Sequence, residues 1–207
     1  MRAAIFYATR EGQARRVAER IAAGLQARHA DVDVHNVKAL NTPIDWSVYA
    51  TAFVVASVHA GRHEPEMIAF VKRFRPELER LSAAFLSLTL SEAGAEDTRA
   101  PAERREHARA DAERMIDVFV ADTGWRPANT LCVAGALAYS RYNFFVKFIM
   151  RRIARKAGFD GDTSRDYEFT DWAAVDRFVR HISLAGDISS TADYSPLATG
   201  NSALPPP

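Results

Sequence analysis

The sequence predicts an α/β domain with a doubly wound, five-stranded parallel sheet and a long insertion after or within the fifth strand. Two observations lead to this fold class. Short apolar segments alternate along the chain with longer segments of amphipathic helical periodicity. In addition, residues 2–8 are apolar enough to be buried on both faces, as a central parallel strand would be. Ligands of such sheets bind beyond the carboxyl ends of the strands.

Length and composition limit the class of protein. The 207 residues suit one domain over residues 1–185 and a tail over residues 186–207, rich in Ser, Thr, Ala and Pro, that we predict to be disordered. A hydrophobic content of 48% with a net charge of +1 indicates a globular protein without a nucleic-acid partner. The single cysteine, Cys132, excludes an internal disulfide, and its apolar neighbours predict that it fills the core.

Periodicity and the positions of Gly and Pro predict the individual elements. We predict strands over residues 2–8, 32–37, 52–56, 83–90 and 130–134. We predict helices over residues 13–28 and 65–80, a third that follows a surface loop at 92 and ends near 122, and a last one over 170–184. Alternation in 32–37 places that strand near a sheet edge, and Pro76 is expected to kink or divide the second helix. Gly124 ends the third helix, and Thr170 caps the last one.

Residues 9–14, Thr-Arg-Glu-Gly-Gln-Ala, connect the first strand to the first helix. Small and polar residues at this junction are typical of an anion site, because the first N–H groups of a helix have no partner within it. The hydroxyl of Thr9 and the N–H groups that follow could hold one phosphate, with Gly12 allowing close approach. An ordinary turn with a threonine cap has the same pattern, and spacing alone does not distinguish the two interpretations.

Several motifs recur along the chain with this loop. They are Thr9 to Gln13, Ala56-Ser57 with Gly61, Trp125-Arg126-Pro127, Gly135-Ala136-Leu137 with Tyr139 and Arg141-Tyr142, and Asp162-Thr163 with Thr170-Asp171-Trp172. Together they resemble the menaquinone-dependent protoporphyrinogen oxidases (protoporphyrinogen IX dehydrogenases), a family with the flavodoxin fold. The similarity covers about residues 1–184. The last three groups are specific to the family, whereas a phosphate loop is common to all flavodoxins.

The resemblance implies that FMN binds at the carboxyl edge of the sheet. In the family, the loop after strand one holds the phosphate, and the loops after strands three and four flank the isoalloxazine ring. The cofactor-binding residues carried over are Thr9, Arg10, Glu11, Gly12, Gln13 and Ala14 for the phosphate, and Ser57, Val58, His59, Ala60, Gly61, Ser87, Leu88, Thr89 and Leu90 for the ring. Ala14 stands where a hydroxyl residue is usual, and Ala60 where an aromatic residue is common. We expect these departures to affect cofactor affinity more than the fold.

The insertion contains a basic amphipathic segment over residues 143–157. If this segment is helical, its aromatic and aliphatic residues gather on one side and its cations form a stripe at four-residue spacing. The residues predicted to contact substrate or membrane are Tyr139, Arg141, Tyr142, Lys147, Arg151, Arg152 and Arg155. The cations could face anionic lipid or pair with the propionates of a porphyrinogen. An apolar face packed on the sheet with a solvated basic face is the alternative interpretation.

No metal site is predicted. His59 and His63 are four residues apart, but without a matching carboxylate partner nearby we interpret both as polar surface histidines. Asp171 is interpreted as a first-turn acid facing the helix dipole. No catalytic side chain is assigned, because a flavin carries its own redox chemistry.

The resemblance implies oxidation of protoporphyrinogen IX by FMN and transfer of the electrons to a membrane quinone. Three alternatives stay open: a flavodoxin-like quinone reductase with another donor, a flavodoxin-type electron carrier, and a protein that has lost FMN. Carriers are usually strongly acidic, which this chain is not. Without a signal peptide or a run of roughly 18 apolar residues, the protein is expected in the cytoplasm, peripheral on the inner membrane. A homo-oligomer is left open.

Overall fold

A computed structural model describes residues 2–137 and 166–182. The predicted basic segment of the insertion, its contact residues from Tyr139 to Arg155, and the predicted tail over residues 186–207 lie outside these ranges. The described part contains most of the region for which a flavodoxin-like fold was predicted.

The described residues form eight strands and six α-helices, seven elements in each half of the fold. The first half comprises β1 (Arg2–Ala8), α1 (Gln13–Gln26), β2 (Asp31–Asn36), β3 (Thr51–His59), β4 (Arg62–His63), α2 (Pro65–Arg73) and α3 (Arg75–Arg80). The second comprises β5 (Ser82–Thr89), α4 (Leu90–Glu96), α5 (Ala102–Thr123), β6 (Asn129–Ala134), β7 (Ala136–Leu137), β8 (Tyr167–Glu168) and α6 (Trp172–His181). Short 3-10 turns, Val37–Ala39 and Trp46–Val48, lie between β2 and β3.

The main sheet has five parallel strands, as the sequence predicted, and their order is β2-β1-β3-β5-β6. Strand β1 pairs on both sides, and the alternating strand β2 lies at an edge. The short strand β4 is antiparallel to β3. After β6 the chain forms β7, which pairs antiparallel with β8. The insertion that was predicted after or within the fifth strand therefore follows the fifth parallel strand.

Successive residues of the central strands point to opposite faces of the sheet, and each face has its own core. Ile5 belongs to a cluster with residues of α1 and α6, whereas Phe6 belongs to a cluster with residues of α2, α3 and α5. In the second cluster the ring of Phe85 stacks on that of Phe119, with centroids 4.2 Å apart. Because both faces of these strands are buried, their sequences are continuous runs of apolar residues.

Three local predictions need correction or refinement. The predicted helix over 65–80 is divided at Phe74 into α2 and α3, and Pro76 lies in the first turn of α3, where its missing N–H costs nothing. The predicted surface loop at Glu92 is wrong: this segment is α4, whose residues Ala93–Ala95 are buried. Cys132 is only half-buried. Burial, aided by nearby Glu92 and Glu113, raises the pKa of its thiol to about 12.

The predicted cap of the last helix is also wrong by one residue. Asp171, not Thr170, is the N-cap of α6, because its carboxylate accepts a hydrogen bond from the N–H of Ala174 at 3.0 Å. The hydroxyl of Thr170 points instead into the core. The predicted end of α5 is confirmed, since Gly124 has φ 71°, the left-handed conformation in which glycine is favoured. Within the described ranges, no helix has the length and apolar character to cross a bilayer.

Candidate functional site

A cleft at the carboxyl edge of the sheet brings together residues from four separate parts of the chain. It is lined by Glu11, Gln13, Ser57, Val58, His59, Leu88, Thr89, Leu90, Gly135 and Ala136. These positions follow β1, end β3, end β5 and follow β6, so the parallel direction of the strands collects them at one edge. The cavity is small, about 60 Å³. Pockets that enclose a small molecule typically measure roughly 300 Å³ or more, so the described residues alone do not enclose a ligand there.

The loop between β1 and α1 has the geometry of an anion site. The N–H of Gly12 donates to the hydroxyl of Thr9 at 2.8 Å, which closes the loop on itself. Gly12 has φ 101°, a conformation that residues with a side chain rarely adopt, and it is the N-cap of α1. The first N–H groups of α1, starting at Gln13, have no carbonyl partner within the helix. The loop thus presents backbone donors at the positive end of the helix dipole.

Gln13 and Ala14 are both buried, and their side chains make contacts within the protein. The amide of Gln13 donates to the hydroxyl of Thr170 at 2.8 Å and to the carboxylate of Glu168 at 3.0 Å. Ala14 is 0% exposed and packs in the core cluster with Ile5 and the other residues of α1. Backbone N–H groups are therefore what these two positions can offer to an anion. The usual hydroxyl is replaced at position 14 by a methyl group that packs.

Thr170 connects the loop to a segment that lies 157 residues further along the chain. Its hydroxyl donates to the carbonyl of Ala134 at 2.7 Å while accepting from Gln13. Arg16 adds an ion pair with Glu168 at 3.0 Å. This network joins α1, β6 and β8 beside the cleft. Thr170 belongs to a motif that resembles the family, but its position predicted a helix cap, because a hydroxyl just before a helix is usually one.

The chain after β3 makes a tight hairpin rather than an open loop. His59 pairs with Arg62 across a two-residue turn, in which Ala60 has φ 51° and Gly61 has φ 79°. Two successive positive φ values define a type I′ turn, the form that suits the twist of two antiparallel strands. Ala60 is exposed at the tip. It occupies the position at which an aromatic residue is common in the family, and a methyl group offers no stacking surface for a ring.

The four predicted ring-flanking residues at the end of β5 do not share one environment. Leu88, Thr89 and Leu90 line the cleft, whereas Ser87 lies in the core, where its hydroxyl is 2.9 Å from Nε2 of His63. The interpretation of His63 as a surface residue is therefore wrong, since it is 3% exposed and packs against Phe85 and Phe119. Burial, with a smaller effect of His59, lowers the pKa of His63 to about 4. His63 is neutral near pH 7.

The interpretation of His59 as a simple surface residue is also wrong. Its Nε2 atom lies 3.4 Å from a carboxylate oxygen of Glu11 and 3.5 Å from one of Glu64. Glu64 is fully buried. Glu64 was not among the predicted residues, because a glutamate before a helix that begins with Pro is normally exposed. Within the described ranges, no group of three or more His, Cys, Asp or Glu side chains has an arrangement that could hold a metal ion.

The structure thus brings most of the predicted cofactor residues to one edge. Thr9, Arg10 and Gly12 form the loop beside the cleft, and Ala60 and Gly61 form the hairpin tip. Gly135 and Ala136 line the cleft but were not among the predicted cofactor residues. They belong to a motif that had been identified as specific to the family, which was the signal available for them.

Comparisons with known proteins agree with this architecture. A family model described as Flavodoxin domain matches residues 4–164. The protoporphyrinogen IX dehydrogenase (quinone) of Escherichia coli strain K12 is 30% identical over 182 residues, covering 88% of this chain and 94% of that protein. A protein of the same name from Leishmania major is 28% identical over 175 residues, covering 84% of this chain and 71% of that protein. A short-chain flavodoxin associated with a bacterial microcompartment has 12% identity and a TM-score of 0.50, covering 88% of this chain and 96% of that chain.

The first prediction concerns acid stability. Because the folded-state pKa of His63 is about 4 and the unfolded value is near 6.5, the unfolded chain takes up a proton first as pH falls. The contribution of His63 is complete above about pH 6.5 and is lost toward pH 4, by about 3 kcal/mol. Urea unfolding should therefore show a steeper loss of stability in the wild type than in His63→Gln. His35, whose pKa burial also lowers, is present in both proteins and cancels in the difference.

The matched control is His107→Gln, at a side chain that is 81% exposed, which should keep the wild-type slope. Equal slopes for wild type and His63→Gln between pH 6.5 and 4 would contradict the assignment.

The second prediction concerns Thr170. Thr170→Val keeps the side-chain shape but removes the hydroxyl that serves Ala134 and Gln13. The free energy of unfolding should fall by about 1–3 kcal/mol, because two buried polar groups lose a partner. Thr130→Val, at an exposed position of β6, should change it by less than about 0.5 kcal/mol. If the two variants unfold at the same urea concentration, the network does not stabilise the fold.

Proposed function

Because the chain belongs to the family of protoporphyrinogen IX dehydrogenases (quinone), which carry a flavodoxin domain, we propose that it oxidises protoporphyrinogen IX with FMN and passes the electrons to a quinone. The observation that carries the proposal is a sequence match that extends over nearly the full length of both this chain and the Escherichia coli protein. A match of that extent includes the insertion after the fifth strand.

The residues present fit the phosphate of FMN. The loop over residues 9–14 offers backbone N–H groups at the start of α1, and the absence of a side chain at Gly12 permits close approach. Thr9 stabilises the loop through its bond to the N–H of Gly12. Ala14 supplies no hydroxyl, so the donors there come from the backbone. We assign phosphate binding to Thr9, Arg10, Glu11, Gly12, Gln13 and Ala14.

The residues at the ends of β3 and β5 fit one edge of a flat ring. Ser57, Val58 and His59 form one wall of the cleft, and Leu88, Thr89 and Leu90 form another. We assign the flavin ring to this cleft, with the hairpin at Ala60 and Gly61 beside it. When bound there, FMN supplies the two-electron redox chemistry. The protein residues orient it and exclude water on the side of the sheet, where Ser87 and Leu88 are buried.

The basic stripe of the insertion supports a role at the membrane or at the substrate. Lys147, Arg151 and Arg155 recur at four-residue spacing, and Tyr139, Arg141, Tyr142 and Arg152 accompany them. A quinone acceptor is dissolved in the bilayer, so attraction to anionic lipid would bring the cleft close to it. We therefore propose peripheral attachment through this stripe. Its support is the sequence pattern, because these residues lie outside the described ranges.

The third prediction tests the reaction. Purified protein should bind FMN with a rise in melting temperature and, without oxygen, should convert protoporphyrinogen IX to fluorescent porphyrin when a quinone is present. Omission of quinone should limit the yield to about one two-electron oxidation per flavin. Reduction of the quinone by another donor but not by the porphyrinogen would favour a quinone reductase. Absence of both flavin absorbance and an FMN-dependent rise in melting temperature would contradict the proposal.

The fourth prediction tests the basic stripe. Replacing Lys147, Arg151 and Arg155 by glutamine should reduce flotation with phosphatidylglycerol vesicles by about tenfold or more, since each cation near an anionic surface contributes about 1 kcal/mol. Flotation with neutral phosphatidylcholine vesicles should be weak for both proteins. The matched control replaces the same residue types, Lys72, Arg80 and Arg104, at exposed positions of α2, α3 and α5. Equal flotation of the two triple variants would exclude a specific role of the stripe.

A further inference from the structure

A groove on the face of the sheet opposite α1 lies apart from the candidate site. It encloses about 530 Å³, between the segment that connects β2 to β3 and the helices α2 and α3. No described residue lines both this groove and the cleft. Among its apolar and aromatic side chains are Leu40, Pro43, Ile44, Trp46, Phe70 and Phe74. The groove therefore has the size and the lining of a second binding site.

Three aromatic rings in the groove lie against one another. The ring centroids of Trp46 and Phe74 are 5.2 Å apart, and those of Phe70 and Phe74 are 5.0 Å apart. The indole N–H of Trp46 has no acceptor among the described residues. A covered donor of this kind is unfavourable until an acceptor reaches it. Proline-rich segments match both features, because their rings pack on aromatic side chains and their carbonyls have no partner within the segment.

The charged residues that line the groove carry both signs. Glu66 is paired with Lys38 at 3.5 Å, and the guanidinium of Arg73 lies 5.0 Å from the ring centroid of Phe74. Glu77 adds a second carboxylate. This mixture favours neither a strongly anionic nor a strongly cationic ligand, so the groove is better suited to an uncharged one.

The chain itself contains such a segment, outside the described ranges. Residues 194–207 include no Asp, Glu, Lys or Arg, and they contain Pro196 and the run Leu204-Pro205-Pro206-Pro207. An uncharged segment enters an apolar groove without the cost of burying an ion. Its prolines also lose little conformational freedom when they are held in an extended form.

The last described residue, Ile182, lies at the start of the edge strand β2. The guanidinium of Arg28 donates to the carbonyl of Val179 at 3.0 Å and to that of Ile182 at 3.4 Å. Arg28 comes just after α1 and just before β2. The chain therefore leaves α6 at the amino end of β2, on the face of the sheet that α1 covers.

Trp46 lies near the same end of the sheet, on the opposite face. The N–H of Ala50, which follows it closely in sequence, donates to the carbonyl of Arg2 at 3.0 Å. Arg2 in turn is level with Asp31, the first residue of β2. Ile182 and the groove thus flank the start of one edge strand, and a chain can pass around that edge.

The length of the chain permits this path. Packed layers of secondary structure lie about 10 Å apart, so a path from one helix layer to the other covers about 20 Å. Residues 183–193 can span about 35–40 Å when extended. The insertion, by contrast, leaves after β7 and returns at β8, which follow and contact the opposite edge strand β6. Residues 194–207 are therefore the better placed of the two segments.

We propose that residues 194–207 dock in this groove within the same molecule. Their prolines pack on the rings of Trp46, Phe70 and Phe74, and one of their carbonyls accepts the indole N–H of Trp46. The groove is thus a binding site for an uncharged, proline-rich segment. It is separate from the flavin cleft, and the inference does not rest on the proposed function.

The test places a nitroxide on the full-length chain and follows the indole N–H signals by NMR. Cys132, the single cysteine, is replaced by serine, and Ser202→Cys carries the label. The signal of Trp46 should lose most of its intensity, because a docked label lies close to it. The signal of Trp172, which begins α6 on the other face of the sheet, should keep most of its intensity.

Blocking the groove should abolish this loss. Ala69 is exposed and lines the groove, so Ala69→Arg fills it without removing a core side chain. The matched control is Ala110→Arg, at an exposed position of α5, which should behave like the parent protein. The signal of the buried Trp125, unchanged in position, shows that each variant is folded.

Three results would overturn the inference. The first is an unchanged Trp46 signal, or equal losses for Trp46 and Trp172, since the label would then not be held at the groove. The second is a loss at Trp46 that persists in Ala69→Arg. The third is a loss that appears when spin-labelled protein is mixed with isotope-labelled protein that carries no nitroxide, because docking would then occur between molecules.

Discussion

The parallel pairing of β1, β3, β5 and β6 is the constraint on which the candidate site depends. In this register Ala8 is level with Ala56, Ser57 with Leu88, and Thr89 with Ala134. The segments that follow these four strands, which are far apart in sequence, therefore lie along one edge of the sheet. Pairing of this kind requires both faces of each strand to be covered, which the two core clusters achieve. The cleft exists because apolar side chains hold the strands in register.

A second constraint comes from the segment that contains Phe169, Thr170 and α6. The N–H of Phe169 donates to the carbonyl of Gly135, and the hydroxyl of Thr170 donates to that of Ala134. From there α6 packs along α1, where Val179 comes so close to Gly24 that an added Cβ would be 3.3 Å from it. The segment that precedes α6 is thus fixed against α1, the helix that follows the loop over residues 9–14. Any shift of this segment would disturb the bonds that Gln13 makes.

Electrostatics at the edge are more balanced than an anion site would suggest. The N-terminus of α1 offers a partial positive charge, yet the loop before it contains Glu11, and Glu64 is buried below. His59 stands between these two acids. The edge therefore combines backbone donors, which are neutral and directional, with an imidazole that lies 3.4 Å from Glu11 and 3.5 Å from Glu64.

Much of the fold followed from local patterns. Residues 2–8 were predicted as a buried strand and are β1, and the break at Pro76 and the end of α5 at Gly124 were also predicted, since these depend on the conformation of a few neighbouring residues. Motifs that resemble a known family indicated the loops at the carboxyl edge. Errors arose where the local sequence around a residue was consistent with two different roles. Thr170 satisfies the rule for a helix cap, but a carbonyl and an amide from distant segments bind its hydroxyl instead.

The sequence by itself determined most of the order of strands and helices along the chain and the family, because these depend on periodicity, on glycine positions and on short motifs. Only the tertiary structure decided that His63 is buried, that His59 lies between Glu11 and Glu64, and that Gln13 binds Glu168 and Thr170. The physical reason is that burial and charge pairing are set by contacts between residues far apart in the chain. A local pattern contains no information on which distant group will lie within 3.5 Å of a given side chain.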